Sequence, residues 1–349
     1  MSTYLRASAT PLAQAHDALL LDLDGVVYRG AAAVEHAADS IAAAAAAGAQ
    51  PVYVTNNAGR PPQVVADQLT DLGIPTDPAH VMTSSLAAAT TLARDLPAGS
   101  TVLCVGGPGL RQAMEAQGYR VVTDAHEKPD AVAQGYGPEV GWAQLTEAAY
   151  AIGQGARYVA TNLDATLPTE RGMAVGNGSL VAAVVNATGV RPTSSGKPEA
   201  GIFHEAAALV GATRPVVVGD RLDTDLAGAR AAGMPGLQVL TGVHQAYDLF
   251  AAQPHERPDM LALDLRGVLE PHPEVVPTGD HLGGWRCRDA VVRVSGTDLH
   301  VVRDDVAQAL ASLTEITLDE LRAACCAAWE AADGGTGLAL APRPLAVVV

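Results

Sequence analysis

Short apolar runs that end in polar residues recur along this chain and alternate with helix-like segments. The clearest runs are ALLLDLD at 18–24, PVYVTNN at 51–57, RPVVVGDRLDTD at 214–225 and GLQVLTG at 236–242. Strand–helix alternation of this kind predicts a parallel sheet with helices on both faces. Such sheets bind ligands at the carboxyl ends of their strands, where Asp22, Thr55 and Asp220 stand in this sequence.

The interval between the run that ends near Thr55 and the segment around Lys197 is too long for one crossover connection. An inserted α/β domain, called the cap below, is therefore predicted in this interval. Its expected strands are TVLCVGG, PDAVAQG, RYVATNLD and the apolar stretch 181–188. The predicted fold is α/β, a Rossmann-like parallel-sheet core with this cap and a small α+β C-terminal extension. The predicted divisions are core 1–85 and 190–265, cap 86–189, and extension 275–349.

A proline-rich stretch from Pro258 to Pro277 marks the predicted boundary before the C-terminal extension. The following segment DAVVRVSGTDLHVVRDD is typical of a hairpin with a glycine-containing turn. ITLDELRAACCAAWEAA then predicts an amphipathic helix, with Thr317 as its N-cap and Glu320 completing a capping box. The extension is expected to be a small α+β element, and no motif assigns it a role.

The composition excludes several classes of partner. A formal charge of −16 argues against a nucleic-acid surface, which needs clustered Lys and Arg, and against anionic membranes. No run approaches the ~20 apolar residues of a membrane span, and the N-terminus lacks the pattern of a signal peptide. The spacing of the four cysteines, Cys104, Cys287, Cys325 and Cys326, matches neither a metal-ligand motif nor a disulfide framework. We therefore predict a soluble cytoplasmic protein with reduced thiols, no nucleic-acid partner and no membrane insertion.

Four separated segments carry polar residues that fit one chemistry when taken together: Asp22 and Asp24; Thr55, Asn56 and Asn57; Lys197; Asp220 with Asp225. Taken singly, each has an ordinary structural explanation, because Asp, Asn and Thr are common in turns and helix caps. A carboxylate set without His or Cys favours Mg²⁺, which prefers oxygen ligands. One carboxylate can attack phosphorus to form an aspartyl-phosphate, while a second protonates the leaving alkoxide and then activates water.

The segments DLDGVV, VTNN, GKP and GDRLDTD match, in order, the four motifs of the haloacid dehalogenase superfamily, which the chain resembles over 18–264. The resemblance implies that Asp22 is the nucleophile and Asp24 the general acid and base. It further implies that Thr55 binds phosphate and that Lys197 orients the nucleophile and the phosphate.

The resemblance also implies a metal site. Asp220 would be a ligand together with the side chain of the first aspartate of DLDGVV and the backbone carbonyl of the second. Asp225 would be a supporting acid, and Asp223 would face solvent or a neighbouring loop. Asn56 and Asn57, next to the phosphate-binding threonine, are candidate phosphate-binding residues.

The position of the cap is similar to that in the subgroup of pyridoxal, phosphoglycolate, nucleotide and nitrophenyl phosphatases. In that subgroup the loop like ATNLDATLPTERG approaches the active site, which makes Asn162, Asp164 and Arg171 candidate substrate-selecting residues. Their ordinary explanation is equally open, because Asn and Asp are frequent in loops. The segment VGNGS departs from the subgroup's Gly-Ala-Gly step, so Asn177 would either alter the pocket or decorate a turn.

The leading hypothesis is a Mg²⁺-dependent phosphatase of a small phosphorylated metabolite, with glycerol 3-phosphate as substrate. The chain resembles the glycerol-3-phosphate phosphatases of actinobacterial type, while phosphoglycolate and pyridoxal phosphate are competing substrates. Dehalogenation is disfavoured because it needs no Mg²⁺, and a phosphomutase because its cap would lie between the first two motifs. A regulatory or binding protein acting through the C-terminal extension is the alternative from another class. Homo-oligomerisation through the cap or the extension is left open.

Overall fold

The computed structural model describes residues 4–169 and 171–349. The chain folds into two compact units, one formed by residues up to Pro51 with Ala212–Val349 and the other by Val52–Gly211. The two segments of the first unit are far apart in sequence. The three-part division predicted from the sequence stays a prediction.

Strands and helices alternate along the chain. The strands are β1 Ala18–Leu21, β2 Tyr28–Arg29, β3 Ala32–Ala33, β4 Gln50–Thr55, β5 Val81–Thr83, β6 Thr101–Val105, β7 Arg120–Val122, β8 Ala131–Gln134, β9 Arg157–Ala160, β10 Thr166–Thr169, β11 Gly172–Val175, β12 Thr193–Ser194, β13 Pro215–Gly219, β14 Gly236–Val239, β15 Met260–Ala262, β16 Val275–Pro277, β17 Trp285–Cys287, β18 Ala290–Ser295, β19 Asp298–Arg303, β20 Val306–Ala309, β21 Glu315–Thr317 and β22 Ala346–Val348. The α-helices are α1 Leu12–Ala15, α2 Ala37–Ala46, α3 Pro62–Asp71, α4 Ser84–Ala93, α5 Pro108–Ala116, α6 Trp142–Gly153, α7 Asn177–Thr188, α8 Ala200–Leu209, α9 Ala227–Ala231, α10 Ala246–Phe250 and α11 Leu318–Asp333.

Parallel strands form the central sheet of the first unit. β1 pairs with β13, β13 with β14, and β14 with β15, so that Leu21, Val218, Leu237 and Met260 lie at one level across the sheet. All four residues of β1 are buried, as expected for a parallel strand that is covered on both faces. The predicted α/β class with a parallel sheet is confirmed.

The C-terminal part of the first unit is an antiparallel sheet, β16 to β20 in sequence order, packed against α11. β18 and β19 form the predicted hairpin. Gly296, at φ +62°, lies in the two-residue turn between them, and tight turns of this length need a residue with positive φ. α11 begins with the predicted capping box: the Glu320 N–H donates to Thr317 Oγ1 at 3.1 Å, and the Thr317 N–H donates to Glu320 Oε2 at 2.8 Å. The α+β character of this segment is confirmed.

One buried hydrophobic cluster connects this C-terminal part with the elements before it. Phe250 and Leu261 belong to the same cluster as Trp329 of α11. Arg257, whose side chain is 1% exposed, holds Asp333 through two hydrogen bonds of 2.7 and 2.8 Å and lies 5.3 Å from the Trp329 ring. Part of the proline-rich stretch 258–277 also belongs to the folded core, because β15 lies inside it and pairs with β14 in the parallel sheet.

The second unit contains a parallel sheet with the strand order β12-β9-β8-β6-β7. Three of the four strands expected in the cap, β6, β8 and β9, are confirmed. The prediction of a strand at 181–188 is wrong, because these residues belong to α7. The buried positions Asn177, Val181 and Val184 recur at helical spacing, so the valines in that run form the inner face of a helix.

Two further observations concern the apolar character of the helices and the state of the cysteines. Among the described residues, no helix combines the length and the apolar character that a membrane crossing requires. All four cysteines are buried free thiols, and burial raises the pKa of Cys104 and of Cys326 to about 12. Burial of this kind disfavours the thiolate form, which is the reactive form of cysteine.

A buried histidine ties the N-terminal segment to the residues that follow β15. His272 forms an isolated bridge with Ser8, is 5% exposed, and has its Nε2 2.9 Å from the Gly267 carbonyl. Burial, together with the neighbouring charge of Arg322, lowers the pKa of His272 from 6.5 to about 4, although the hydrogen bond to the Gly267 carbonyl acts in the opposite direction. The folded protein thus keeps this imidazole neutral at pH values where the unfolded chain protonates it.

We expect acid to destabilise the protein through His272. Between pH 6.5 and about 4 the unfolded state binds more protons, so the free energy of unfolding falls as pH drops, by about 3 kcal/mol in total. Urea unfolding at pH 7, 5.5 and 4 checks this. His272→Gln should lose less stability than the wild type over this window, while His281→Gln, at an exposed position, should follow the wild type. Equal pH dependence of His272→Gln and the wild type would contradict the assignment.

Candidate active site

Asp22 and Asp220 follow the ends of two neighbouring parallel strands, β1 and β13. Leu21 lies opposite Val218, and the Asp22 N–H donates to the Val218 carbonyl at 2.9 Å. Because the carboxyl ends of parallel strands lie at the same edge of a sheet, both carboxylates lie at that edge. Asp22 is 9% exposed and Asp220 is fully buried.

Asp225 joins these two carboxylates from a π-helical turn at Leu222–Leu226, a rare conformation that is frequent at functional sites. Its Oδ2 accepts the N–H of Arg221 at 3.1 Å, and its side chain is almost fully buried. One carboxylate oxygen from each of Asp22, Asp220 and Asp225 lies within 4.8 Å of the others. Three converging carboxylates without nitrogen or sulfur donors fit a hard divalent cation such as Mg²⁺.

The loop after β14 supports Asp220, and it is a part of the site that the sequence analysis missed. From this loop, the Val243 N–H donates to Asp220 Oδ2 at 2.6 Å and the His244 N–H donates to the Asp220 carbonyl at 3.2 Å. The side-chain amide of Gln238, within β14 itself, donates to the same carbonyl at 2.8 Å. A Cβ at Gly242 would stand 1.9 Å from Asp220 Oδ2. The Thr-Gly pair that directly follows the run GLQVL is the sequence feature that could have indicated this loop.

Asp24 differs from Asp22 in being exposed. The turn that carries it is closed by the Gly25 N–H, which donates to the Tyr28 carbonyl at 2.8 Å. Gly25 has φ +90°, and a Cβ there would stand 2.6 Å from Asp220 Oδ2, so this position requires glycine for conformation and for space. The pair of aspartates therefore presents one buried carboxylate and one that reaches solvent.

Asp223, the remaining acid of this motif, contacts Arg221 at the protein surface. Its side chain is 47% exposed and accepts two hydrogen bonds from the Arg221 guanidinium, at 2.7 and 3.0 Å. Burial alone raises the pKa of Asp223, but the hydrogen bonds and charge of Arg221 outweigh it and lower the pKa. The expectation that Asp223 faces solvent is confirmed.

In the second unit, Thr55 and Lys197 are both 4% exposed. Thr55 is the last residue of β4, and its Oγ1 accepts the Asn57 N–H at 3.1 Å. The Lys197 ammonium donates to the Val54 carbonyl at 3.3 Å. The motif segments VTNN and GKP are thus in direct contact.

Asn56 connects four segments of the second unit. Its Oδ1 accepts the Lys197 N–H at 2.8 Å, and its Nδ2 donates to the Lys197 carbonyl at 3.1 Å and to Asp164 Oδ2 at 3.0 Å. Its carbonyl accepts from Asn162 Nδ2 and from Ser84 Oγ, both at 2.8 Å. The side-chain amide of Asn56 is therefore occupied by contacts within the protein. Ser84 was missed by the sequence analysis, although it follows the capping threonine of α4.

The other candidates from the sequence have different settings. Asn57 Oδ1 accepts the Gly59 N–H at 2.9 Å. Arg171 is exposed between β10 and β11, and the adjacent Glu170 lies outside the described residues. Asn177 does not lie in a turn. It is the first residue of α7, is 2% exposed, and its side chain donates to the Asn162 carbonyl. The substrate-binding roles of Asn56, Asn57, Asn162, Asp164 and Arg171 stay predictions.

Comparisons with known proteins decide the family. A family model described as haloacid dehalogenase-like hydrolase matches residues 19–120, and one described as HAD-hydrolase-like matches residues 194–268. The D-glycerol 3-phosphate phosphatase of Mycobacterium tuberculosis is 46% identical over 257 residues, which are 74% of this chain and 72% of that protein. The chain belongs to the haloacid dehalogenase-like hydrolases. A 5′-nucleotidase of Bacillus subtilis is 37% identical over 226 residues, 64% of this chain and 87% of that relative.

One solved protein has a similar fold over nearly the whole chain, and others are similar over about three quarters of it. The glycerol phosphate phosphatase of Mycobacterium tuberculosis in complex with calcium has a TM-score of 0.81 and 38% identity, covering 97% of this chain and 95% of that one. Its complex with magnesium has a TM-score of 0.80. A p-nitrophenyl phosphatase from Archaeoglobus fulgidus has a TM-score of 0.68 and 26% identity, covering 73% of this chain and 98% of that one.

We expect Gly242→Ala to weaken divalent-cation binding. The added methyl group overlaps Asp220 Oδ2 and must displace either the carboxylate or the loop that holds it. The Kd for Mg²⁺, measured by calorimetry, should rise at least about tenfold, since misplaced ligands cost that much in metal sites. Gly337→Ala is the control, because no atom lies within 4 Å of a Cβ there. An unchanged Kd in Gly242→Ala would contradict this account of the loop.

Asn56→Asp should destabilise the protein by about 2 kcal/mol, because an oxygen would face Asp164 and the Lys197 carbonyl where an N–H₂ now donates. Adding Asp164→Asn restores one donor to this contact and should recover about 1 kcal/mol. Urea unfolding of the wild type, both single variants and the double variant measures the coupling. Strictly additive effects would show that the contact between these two side chains carries no energy.

Proposed function

We propose that this protein is a Mg²⁺-dependent phosphatase that hydrolyses a small phosphate monoester through an aspartyl-phosphate intermediate. The buried cluster of Asp22, Asp220 and Asp225 carries the proposal, because it offers three carboxylate oxygens within 4.8 Å of one another, the ligand type that Mg²⁺ prefers. The relatives named as phosphatases, one of them solved with magnesium and with calcium, support it. Bound Mg²⁺ would offset the negative charge of the cluster and of the phosphate during the reaction.

The two aspartates of the first motif have settings that suit different steps. Asp22, buried at the end of β1 and held by its backbone, is the proposed nucleophile: its carboxylate oxygen bonds to phosphorus as the ester P–O bond breaks. Asp24, which is exposed, gives its proton to the departing alkoxide. It then takes a proton from water, whose oxygen attacks phosphorus and releases inorganic phosphate from Asp22.

Residues of the second unit are the proposed phosphate ligands. The Lys197 ammonium is buried, and a buried cation favours a nearby anion. The Thr55 hydroxyl accepts from Asn57, which orients the oxygen and leaves its hydrogen to donate to a phosphate oxygen. Together these groups would stabilise the charge that moves onto the phosphoryl oxygens in the transition state.

Glycerol 3-phosphate is the proposed substrate. Its support is the 46% identity with a phosphatase named for that compound, while other relatives are named 5′-nucleotidase and acid sugar phosphatase. Phosphoglycolate and pyridoxal phosphate are the competing small monoesters. We assign the reaction to the cytoplasm, because four buried free thiols are typical of a reducing compartment.

The test is phosphate release from glycerol 3-phosphate, phosphoglycolate, pyridoxal phosphate and a nucleoside monophosphate, with Mg²⁺ and with EDTA. We expect Mg²⁺-dependent release, fastest from glycerol 3-phosphate. Asp22→Asn should lower kcat at least about a thousandfold with the fold intact, because a neutral amide is a poor nucleophile. Asp39→Asn, an exposed acid on α2, should keep wild-type turnover.

The outcomes separate the parts of the proposal. Faster release from another ester discards glycerol 3-phosphate and keeps the chemistry. Normal turnover of Asp22→Asn overturns the assignment of the nucleophile. Absence of Mg²⁺-dependent release from every ester rejects the phosphatase and favours a binding protein.

A further inference from the structure

We infer that Asn177 is a positioning residue for Lys197, acting through Asn162 and Asn56. This inference rests on the proposed function, in which Lys197 binds the phosphoryl group. Asn177 itself is assigned no contact with substrate. Its effect is carried by hydrogen bonds between residues that all belong to the second unit.

The first step joins the start of α7 to the loop after β9. Asn177 Nδ2 donates to the Asn162 carbonyl at 2.8 Å, and only the amide nitrogen can face a carbonyl, which fixes the orientation of the side chain. The flanking glycines approach the same loop: a Cβ at Gly178 would stand 2.1 Å from the Leu163 carbonyl oxygen, and one at Gly176 would stand 2.2 Å from the Asp164 carbonyl oxygen.

Backbone hydrogen bonds reinforce this contact. The Gly178 N–H donates to the Asp164 carbonyl at 2.8 Å, and the Gly176 N–H donates to the Ala165 carbonyl at 2.9 Å. The Gly-Asn-Gly segment thus holds the backbone of the loop at consecutive positions. A larger residue at either glycine would push the loop away, and loss of the Asn177 amide would leave a buried carbonyl without that donor.

The second step leads from the loop to Asn56. Asn162 Nδ2 donates to the Asn56 carbonyl, which also accepts from Ser84 Oγ. Two donors use both lone pairs of this carbonyl and define the peptide plane that follows β4. The Asn162 side chain is oriented in turn by the Asp164 N–H, which donates to its Oδ1 at 3.2 Å.

The third step leads from Asn56 to Lys197. The Asn56 amide binds the N–H and the carbonyl of Lys197 at the same time, so it defines both the position and the direction of that residue's backbone. Lys197 follows the two-residue strand β12 and precedes α8, and no regular element contains it. The side-chain hydrogen bonds of Asn56 contribute directly to its placement, and small displacements of a reacting group cost large factors in rate.

We expect Asn177→Ala to lower kcat about tenfold and to raise the inhibition constant of inorganic phosphate several-fold, because both report on Lys197. The Mg²⁺ concentration for half-maximal activity should stay unchanged, because the carboxylate cluster belongs to the other unit. Asn177→Ser, whose hydroxyl is too short to reach the Asn162 carbonyl, should give the same pattern and serves if the alanine variant does not fold. Asn186→Ala, an exposed asparagine of the same helix, is the matched control and should behave as wild type.

Asn162→Ala removes the hydrogen bond between the loop and the Asn56 carbonyl. It tests whether the effect of Asn177 on kcat depends on that hydrogen bond. In this background Asn177→Ala should lower the melting temperature further but leave kcat unchanged. Additive losses of kcat would overturn the inference, as would a lower melting temperature of Asn177→Ala with unchanged kcat and phosphate inhibition. A wild type without Mg²⁺-dependent phosphate release overturns the proposed function and this inference with it, whereas normal turnover of both Asn177 variants overturns this inference alone.

Discussion

Three carboxylates buried within 4.8 Å of one another, Asp22, Asp220 and Asp225, are the constraint on which the catalytic part of this protein depends. At an effective dielectric constant of about 20, each pair of such charges repels by about 3 kcal/mol. Backbone N–H groups of Arg221 and Val243 offset part of this cost. A bound divalent cation would offset more of it, because it attracts all three carboxylates at once.

The same constraint explains the backbone around the cluster. Gly25 and Gly242 approach Asp220 so closely that a Cβ at either position would overlap its carboxylate. In the second unit, Asn56 positions Lys197. Its neutral amide both donates and accepts, so it holds the Lys197 backbone at two points. Glycine contacts pack the acidic cluster, and asparagine contacts hold the basic residue.

Local patterns gave reliable predictions where the residue type alone decides the structure. The strand ends at Asp22 and Asp220, the hairpin turn at Gly296 and the capping box at Thr317 all depend on a few adjacent residues. The stretch 181–188 was misassigned, because a short run of valine and alanine fits a strand or a buried helix until its packing partners are known. The Gly242 loop was overlooked, since Thr-Gly after a strand is an ordinary turn unless Asp220 is known to lie beneath it.

The sequence by itself determined the alternating strands and helices, the motif residues at the strand ends, and the acidic chemistry, because these follow from periodicity and from residue type. Only the tertiary structure decided which partner each polar group meets. Asn56, Asn162 and Asn177 look alike in the sequence, yet they form consecutive hydrogen-bonding links, the first of which joins segments more than 100 residues apart. An amide can donate or accept in either direction, so its partner is set by packing and not by its own identity.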